Sequence, residues 1–374
     1  MKPGQETWTP ASLPRPRTRL IGREAEYATA RACLLDEAVP LLTLTGPGGV
    51  GKTQLALAVA HDVDHAFADG VTFVDLAAVT DPRVLATTLA ATLGVTTGGH
   101  GDHTAKVIAY LRPLQLLLLL DNCEHLIPAV AEMASALLAS CPALQILATS
   151  RAPLSIRGEH TLPVEPLPLP LNPSPEALAQ NEAITLLTER VRAIRPGFQV
   201  SDTNGAALAA LCHRLDGLPL AIELAATRLR VLSPGALLEQ LGNQRGLQRD
   251  GLRDLPARQQ TLHDTIRWSY DLLSPEDQRV FRSLAVFVGG WTAHAAAAVG
   301  DLPASAMVRH LEHLVAHSLV NLALDADDPR FTMLETIREF ALERLIAHDE
   351  HDPGRDRHAD YYHRLAAQAE PDMA

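Results

Sequence analysis

Leu41-Leu42-Thr43-Leu44-Thr45-Gly46-Pro47-Gly48-Gly49-Val50-Gly51-Lys52-Thr53 passes from an apolar run into a string of glycines and then into a helical pattern. Gly46 to Thr53 fits G-x-x-x-x-G-K-[ST], between a predicted strand ending at Thr45 and a predicted helix starting near Lys52, the context this string needs to hold phosphate. The glycines let the backbone curl so that its N–H groups converge on an anion, and the helix N-terminus adds positive potential. Lys52 is one of only three lysines (Lys2, Lys52, Lys106), and it would reach the β- and γ-phosphates while Thr53 would ligate magnesium. Gly46, Pro47, Gly48, Gly49, Val50, Gly51, Lys52, Thr53 and the adjoining Gln54 are therefore the candidate nucleotide-binding residues.

Outward from that loop, further strand-like runs occur at Val71–Leu76, Leu116–Leu120, Leu144–Thr149 and, more weakly, His160–Val164, with helical patterns between them. The alternation predicts a parallel sheet covered by helices. Leu116–Leu120 runs straight into Asp121, the layout in which a carboxylate leaves a buried strand to face a nucleotide's magnesium; the alternative is an Asp that caps a turn. The next residue, Asn122, carries a carboxamide that cannot take a proton from water, whereas many hydrolytic enzymes of this layout place a second carboxylate there. Glu124 lies two residues late and reads either as a displaced base or as a helix-start carboxylate before His125. Slow hydrolysis follows.

The 374 residues allow two or three compact units. Residues 1–19, rich in Pro and Arg, form an extended lead-in; residues 20–165 form the phosphate-binding domain. Pro163, Pro166, Pro168, Pro170, Pro173 and Pro175 end regular structure and set a boundary. Helical spacing over Glu176–Arg195, Asn204–Asp216 and Leu220–Leu232 gives a helical domain at 176–250. Residues 256–348 read as helices, a strand pair at Ser318–Leu324 and Arg330–Met333, and a final helix from Leu334, a winged-helix pattern; residues 349–374 are a helical tail.

Composition excludes several roles. Against 32 basic residues stand 44 acidic ones, a net charge of -12 that disfavours non-specific binding to nucleic acid or anionic lipid. Cys33, Cys123, Cys141 and Cys212 have no paired spacing, and Leu114–Leu120 is far shorter than the ~20 residues of a membrane span. With no apolar signal core at the N-terminus, a cytoplasmic protein with reduced thiols and no membrane partner is expected. His310, His313 and His317 share a helix face and read as a solvated polar edge rather than a metal site.

Leu20-Ile21-Gly22-Arg23-Glu24, the Gly46–Thr53 loop, Leu118-Leu119-Leu120-Asp121, Thr149-Ser150-Arg151, Gly217-Leu218-Pro219-Leu220-Ala221 and Met333-Leu334-Glu335 occur in an order that resembles the STAND ATPases with an NB-ARC module. That group includes bacterial regulators of the AfsR and LuxR type, and the resemblance covers roughly residues 13 to 345. It implies a P-loop NTPase α/β fold, a parallel sheet with helices on both faces, followed by a small helical domain and a winged-helix domain. It implies ATP/ADP and Mg2+ as ligands, adenine held near Ile21, Gly22 and Arg23 and by Pro219 and Leu220, and Arg151 as sensor of the γ-phosphate. A surface ion pair is the alternative for Arg151, and helix punctuation for Gly217-Leu218-Pro219. Leu334 stands where family members often have a histidine that meets the β-phosphate of ADP, which predicts a looser ADP lock.

The expected function is an ATP/ADP switch in signalling or transcription regulation, with slow hydrolysis and ATP-dependent self-association. Relatives carry effector and sensor domains, so the effector acts in trans or the chain is a fragment. A winged-helix DNA reader and a fast P-loop ATPase or kinase are the alternatives. Ala304–Ser318 carries Arg309, histidines and Glu312, too few cations for phosphate contacts, so direct DNA binding is not expected.

Overall fold

The computed structural model describes residues 13–15, 18–95, 102–171, 174–247, 257–323 and 329–369. Parts of the expected lead-in, the end of the helical segment at 248–250, Leu324 and the last five residues of the tail lie outside them. The chain divides into two units, Met1–Glu165 and Pro166–Ala374.

In the first unit, β1 (Leu41–Thr45), β2 (Val71–Asp75), β3 (Leu116–Asp121), β4 (Leu144–Ser150) and β5 (Glu159–Pro163) form one sheet in the order β2-β3-β4-β1-β5. Every pairing is parallel. A strand covered on both faces should be apolar at every position, because successive side chains point to opposite sides. Leu116, Leu118 and Leu120 accordingly pack with the helices Leu85–Thr92, His103–Leu111 and Ile127–Ser140, whereas Leu117 and Leu119 pack with Glu24–Leu34 and Lys52–Val63. β5 is an edge strand, and there Pro163 removes no ladder bond from a central neighbour. Of the lead-in, Leu13 and Leu20 pack against the second of these cores, and the Pro14 carbonyl lies 3.1 Å from His61 Nε2.

Sheet order positions the chemistry. β4 lies between β1, which feeds the glycine loop, and β3, which ends in Asp121. The parallel strands share a carboxyl edge, so whatever follows β4 emerges between the loop and the aspartate.

The second unit is mainly helical. The single helix expected over 176–195 is two, Pro175–Ala179 and Glu182–Ile194, because the Asn181 side chain accepts from Ile184 N at 3.1 Å and restarts the chain as an N-cap. Gly205–Arg214, Pro219–Arg228, Pro234–Leu247 and Ala257–Asp271 follow. The winged-helix part has three antiparallel strands rather than two: β6 (Trp291–Thr292), β7 (Asn321–Ala323) and β8 (Arg330–Thr332), in the order β6-β8-β7. Two residues at β6 are too few to show a period. Tyr270, Phe281 and Phe340 meet in its core in tilted and edge-on pairs at 5.5 to 6.4 Å between centroids. Arg282 makes a two-pronged pair with Glu350 at 2.7 and 2.8 Å, tying Pro275–Ser283 to the chain just before the final helix, His351–Ala369. Among the described residues no helix is long and apolar enough to cross a membrane.

Candidate phosphate-binding site

After Thr45 the chain turns through Gly46 (φ 147°), Gly49 (φ 73°) and Gly51 (φ 99°), a region of backbone space that suits glycine. At Gly46 space adds to conformation, because a Cβ would sit 2.4 Å from the Val164 carbonyl oxygen. Val50 is fully buried and anchors the loop to the core. Gly51 starts the helix Lys52–Val63 without a side-chain cap, so no side chain competes for the first-turn N–H groups at the loop. Lys52 Nζ donates to the carbonyls of Gly46 at 2.8 Å and Pro47 at 3.0 Å. Burial pushes its pKa down, with the Glu124 carboxylate opposing that shift. Gln54 is exposed on the first turn.

Arg23 is only 4% exposed and supports the loop from outside: Nη2 donates to the Val50 carbonyl at 3.0 Å and Nη1 to Glu26 at 2.7 Å. The resemblance groups Arg23 with Ile21 and Gly22 as a nucleotide contact, but its guanidinium is committed to the protein. Gly22 itself is left-handed, with φ 63°.

At the carboxyl edge Asp121 is 3% exposed and accepts from Thr53 Oγ1 at 2.9 and 3.1 Å and from Thr149 Oγ1 at 2.5 Å. Burial raises its pKa to about 6; the Thr149 and Thr53 hydroxyls pull the other way, while the carboxylates of Asp75 and Glu124 add to the rise. The Thr53 hydroxyl and this carboxylate form a hard oxygen pair suited to a magnesium ion. Asn122 adopts φ 59° and ψ 49°, a left-handed conformation that asparagine tolerates better than most residues. Its N–H donates to Thr149 Oγ1 at 3.0 Å and its carboxamide to Asp75 Oδ1 at 3.0 Å. The tight turn Cys123–His125 then brings Glu124 back over the edge, where Oε1 accepts from Arg151 Nε at 3.0 Å. Glu124 Oε2 is buried with no hydrogen-bond partner.

Thus the structure gathers the loop, Lys52, Thr53, Asp121, Glu124 and Arg151 at one sheet edge. Glu124 stands in the first turn of the short helix Cys123–His125, as its helix-start reading has it, and the left-handed turn at Asn122 also brings it to Arg151. Sequence reasoning gave no role to Thr149, Asp75 or the bracing of Arg23. Thr149 could have been found, since a hydroxyl at the end of a strand beside β3 must face something polar.

In the second unit Gly217 has φ 64° after Asp216 at φ 50°, its N–H donates to the Cys212 carbonyl at 3.1 Å, and a Cβ there would lie 2.2 Å from the Leu167 carbonyl oxygen. Pro219 begins the next helix and Leu220 is buried. The punctuation reading of this motif therefore holds. Leu334 is half exposed and caps the helix Glu335–Ala347. The histidine face is partly solvated, with His313 65% exposed, and partly paired: His310 Nδ1 lies 2.7 Å from the buried Asp277 carboxylate, which approaches His313 Nδ1 at 3.4 Å, and His317 Nδ1 lies 2.7 Å from the His313 carbonyl. The sequence period located the face but not Asp277, which reaches it from another helix. Among the described residues no group of three His, Cys, Asp or Glu side chains is placed to hold a metal.

A family model described as an AAA domain matches residues 36–160, and one described as a winged helix-turn-helix domain matches residues 273–346. An uncharacterized protein of Mycobacterium tuberculosis is 34% identical over 339 residues, covering 90% of this chain and 83% of that protein. The chain belongs to that protein's family. A protein of M. tuberculosis named as an HTH-type transcriptional regulator is 40% identical over 334 residues, 87% of this chain and 36% of that one. Regulatory protein AfsR of Streptomyces coelicolor is 30% identical over 356 residues, 90% of this chain and 33% of its own length. The chain thus spans about a third of these regulators. The family's fold is also that of a Signal Transduction ATPase with Numerous Domains from Pyrococcus horikoshii, a protein with a tetratricopeptide repeat sensor: the TM-score is 0.59 over 95% of this chain and 46% of the other, at 14% identity.

Proposed function

We propose that the chain is the nucleotide-operated core of a regulatory ATPase of the STAND type, cycling slowly between ADP- and ATP-bound forms. The observation that carries the proposal is the meeting of Thr53 at the loop's end, Asp121 at the end of β3 and Arg151 just past β4 along a single edge. The backbone of Gly46–Gly51 would wrap the phosphates, and Lys52 would exchange its two carbonyl partners for phosphate oxygens. Thr53 and Asp121 would hold Mg2+, which when bound neutralises phosphate charge. Arg151 would meet the γ-phosphate, and Ile21 and Gly22 would serve the adenine side. Regulation as the purpose is supported by the longer relatives, which are named as regulators. Domain rearrangement, self-association and a separate effector belong to the same proposal.

The winged helix-turn-helix match favours a second reading, direct DNA binding. Against it, the arginines of that segment (Arg279, Arg282, Arg309, Arg330, Arg338, Arg344) are outnumbered by its carboxylates, and Arg282 is spent on Glu350.

The test is to extract the nucleotide retained by gently purified protein and then titrate ADP and a non-hydrolysable ATP analogue, each with Mg2+, by calorimetry. Retained ADP and binding of both ligands are expected. Failure of both to bind would refute the proposal.

A further inference from the structure

We infer that the Arg151–Glu124 ion pair is a latch that makes γ-phosphate recognition and the arming of the catalytic base a single event. The inference rests on the proposed nucleotide function and adds a regulatory step within its site. Arg151 follows β4, Glu124 lies on the turn after β3, and these strands are neighbours, so the pair bridges two teeth of one edge. Its N–O distance is 3.0 Å, with the two side chains 31% and 17% exposed. Glu124 has one oxygen on the guanidinium and one buried oxygen without a partner, an arrangement that leaves part of its hydrogen-bonding capacity unused. Of the charges acting on Lys52, Glu124 has the largest effect, ahead of Asp121, which puts its carboxylate in the field of the phosphate site.

While Glu124 Oε1 accepts from Arg151 Nε, that oxygen is aimed at the guanidinium and not at a water beside a γ-phosphate. An arriving γ-phosphate competes with the carboxylate for the same guanidinium. Arg151 passes to the phosphate, and Glu124 turns its carboxylate to the attacking water. In the step that follows, the water oxygen bonds to the γ-phosphorus as the bond from that phosphorus to the bridging oxygen breaks. ADP leaves with the electron pair, and the water's proton passes to Glu124. With ADP no competitor is present, and the pair stays closed.

A latch that must open for ATP alone taxes ATP affinity, and removing Glu124's charge removes the tax. Plain repulsion between Glu124 and the γ-phosphate would also be relieved by that change, and a double-mutant cycle separates the two. Full-length wild type, Glu124→Gln, Arg151→Met and the double variant are titrated with ADP and with a non-hydrolysable ATP analogue, both with Mg2+, and thermal unfolding checks folding. Glu124→Gln should raise the preference for the ATP analogue over ADP about five-fold, the equivalent of a partly exposed ion pair at about 1 kcal/mol. In the Arg151→Met background the same change should give no gain. An equal gain in both backgrounds, or none in either, overturns the latch and leaves the switch standing. If wild type binds neither nucleotide, the latch and the switch fall together. Should Glu124→Gln not fold, Glu124→Ala is carried through the same cycle with the same outcomes.

Discussion

Asp121→Asn should make the protein more stable at neutral pH while stripping it of magnesium-dependent nucleotide binding. Burial raises the Asp121 pKa from 3.8 to about 6 in the folded chain. A raised carboxyl pKa means that folding takes up a proton between those two values. Its contribution to stability is therefore full below about 3.8 and is lost as pH rises through about 6. At about 1.36 kcal/mol per pKa unit, keeping the ionised group buried costs roughly 3 kcal/mol at pH 8. Asparagine carries no charge to bury, but its Nδ2 cannot accept a hydroxyl proton. One of the bonds from Thr53 and Thr149 is then lost at about 1 kcal/mol, leaving a net gain near 2 kcal/mol. For a unit the size of Met1–Glu165 that is roughly 4–8 °C in melting temperature. Scanning calorimetry of both proteins without nucleotide, at pH 8 and at pH 5, is the assay. The gap should be large at pH 8 and shrink at pH 5, and Mg2+ with an ATP analogue should stabilise wild type alone. A gap that widens on acidification, or a less stable variant at pH 8, would show that Asp121 is not a buried charge held at a cost.

Lys52→Ala should reduce ATP affinity by at least ~1.5–3 kcal/mol, as for one charged hydrogen bond, measured by calorimetry; unchanged affinity would remove the loop from the site. Gly46→Ala must press a methyl group against the Val164 carbonyl and should both lower stability, by ~2 kcal/mol or more in thermal unfolding, and abolish nucleotide binding. Arg23→Ala, which withdraws the brace from Val50, should weaken ADP and ATP equally; a changed ratio between them would mean that Arg23 touches the ligand. Duplex DNA should show no sequence-specific gel shift at submicromolar protein, and a salt-sensitive shift would promote the winged helix to a reader.

How far the fold could be read varied with how local its causes were. The central strand was legible because Leu116–Leu120 is apolar at every position, which only burial on both faces explains in so short a run, and its neighbours because their mainly apolar runs alternate with helical patterns. The loop was legible because its glycines, lysine and threonine are consecutive. What stayed hidden depends on groups far apart in the chain. Asp277 meets His310 from 33 positions away, and Arg23 meets Val50 from 27. The meeting of Glu124 with Arg151 depends on a single backbone conformation at Asn122, which no periodicity reports. The short strand Trp291–Thr292 exists because β8 offers it a partner, with no signal of its own.

The placement of β4 between β1 and β3 makes the sheet a measuring rule. Neighbouring strands stand about 4.8 Å apart, so the loop, the arginine and the aspartate are set out over roughly 10 Å by the backbone itself. Side-chain evolution can alter what stands at each mark but cannot move the marks. A ligand that engages all of them must have length as well as charge, which a single phosphate lacks and a chain of phosphates has.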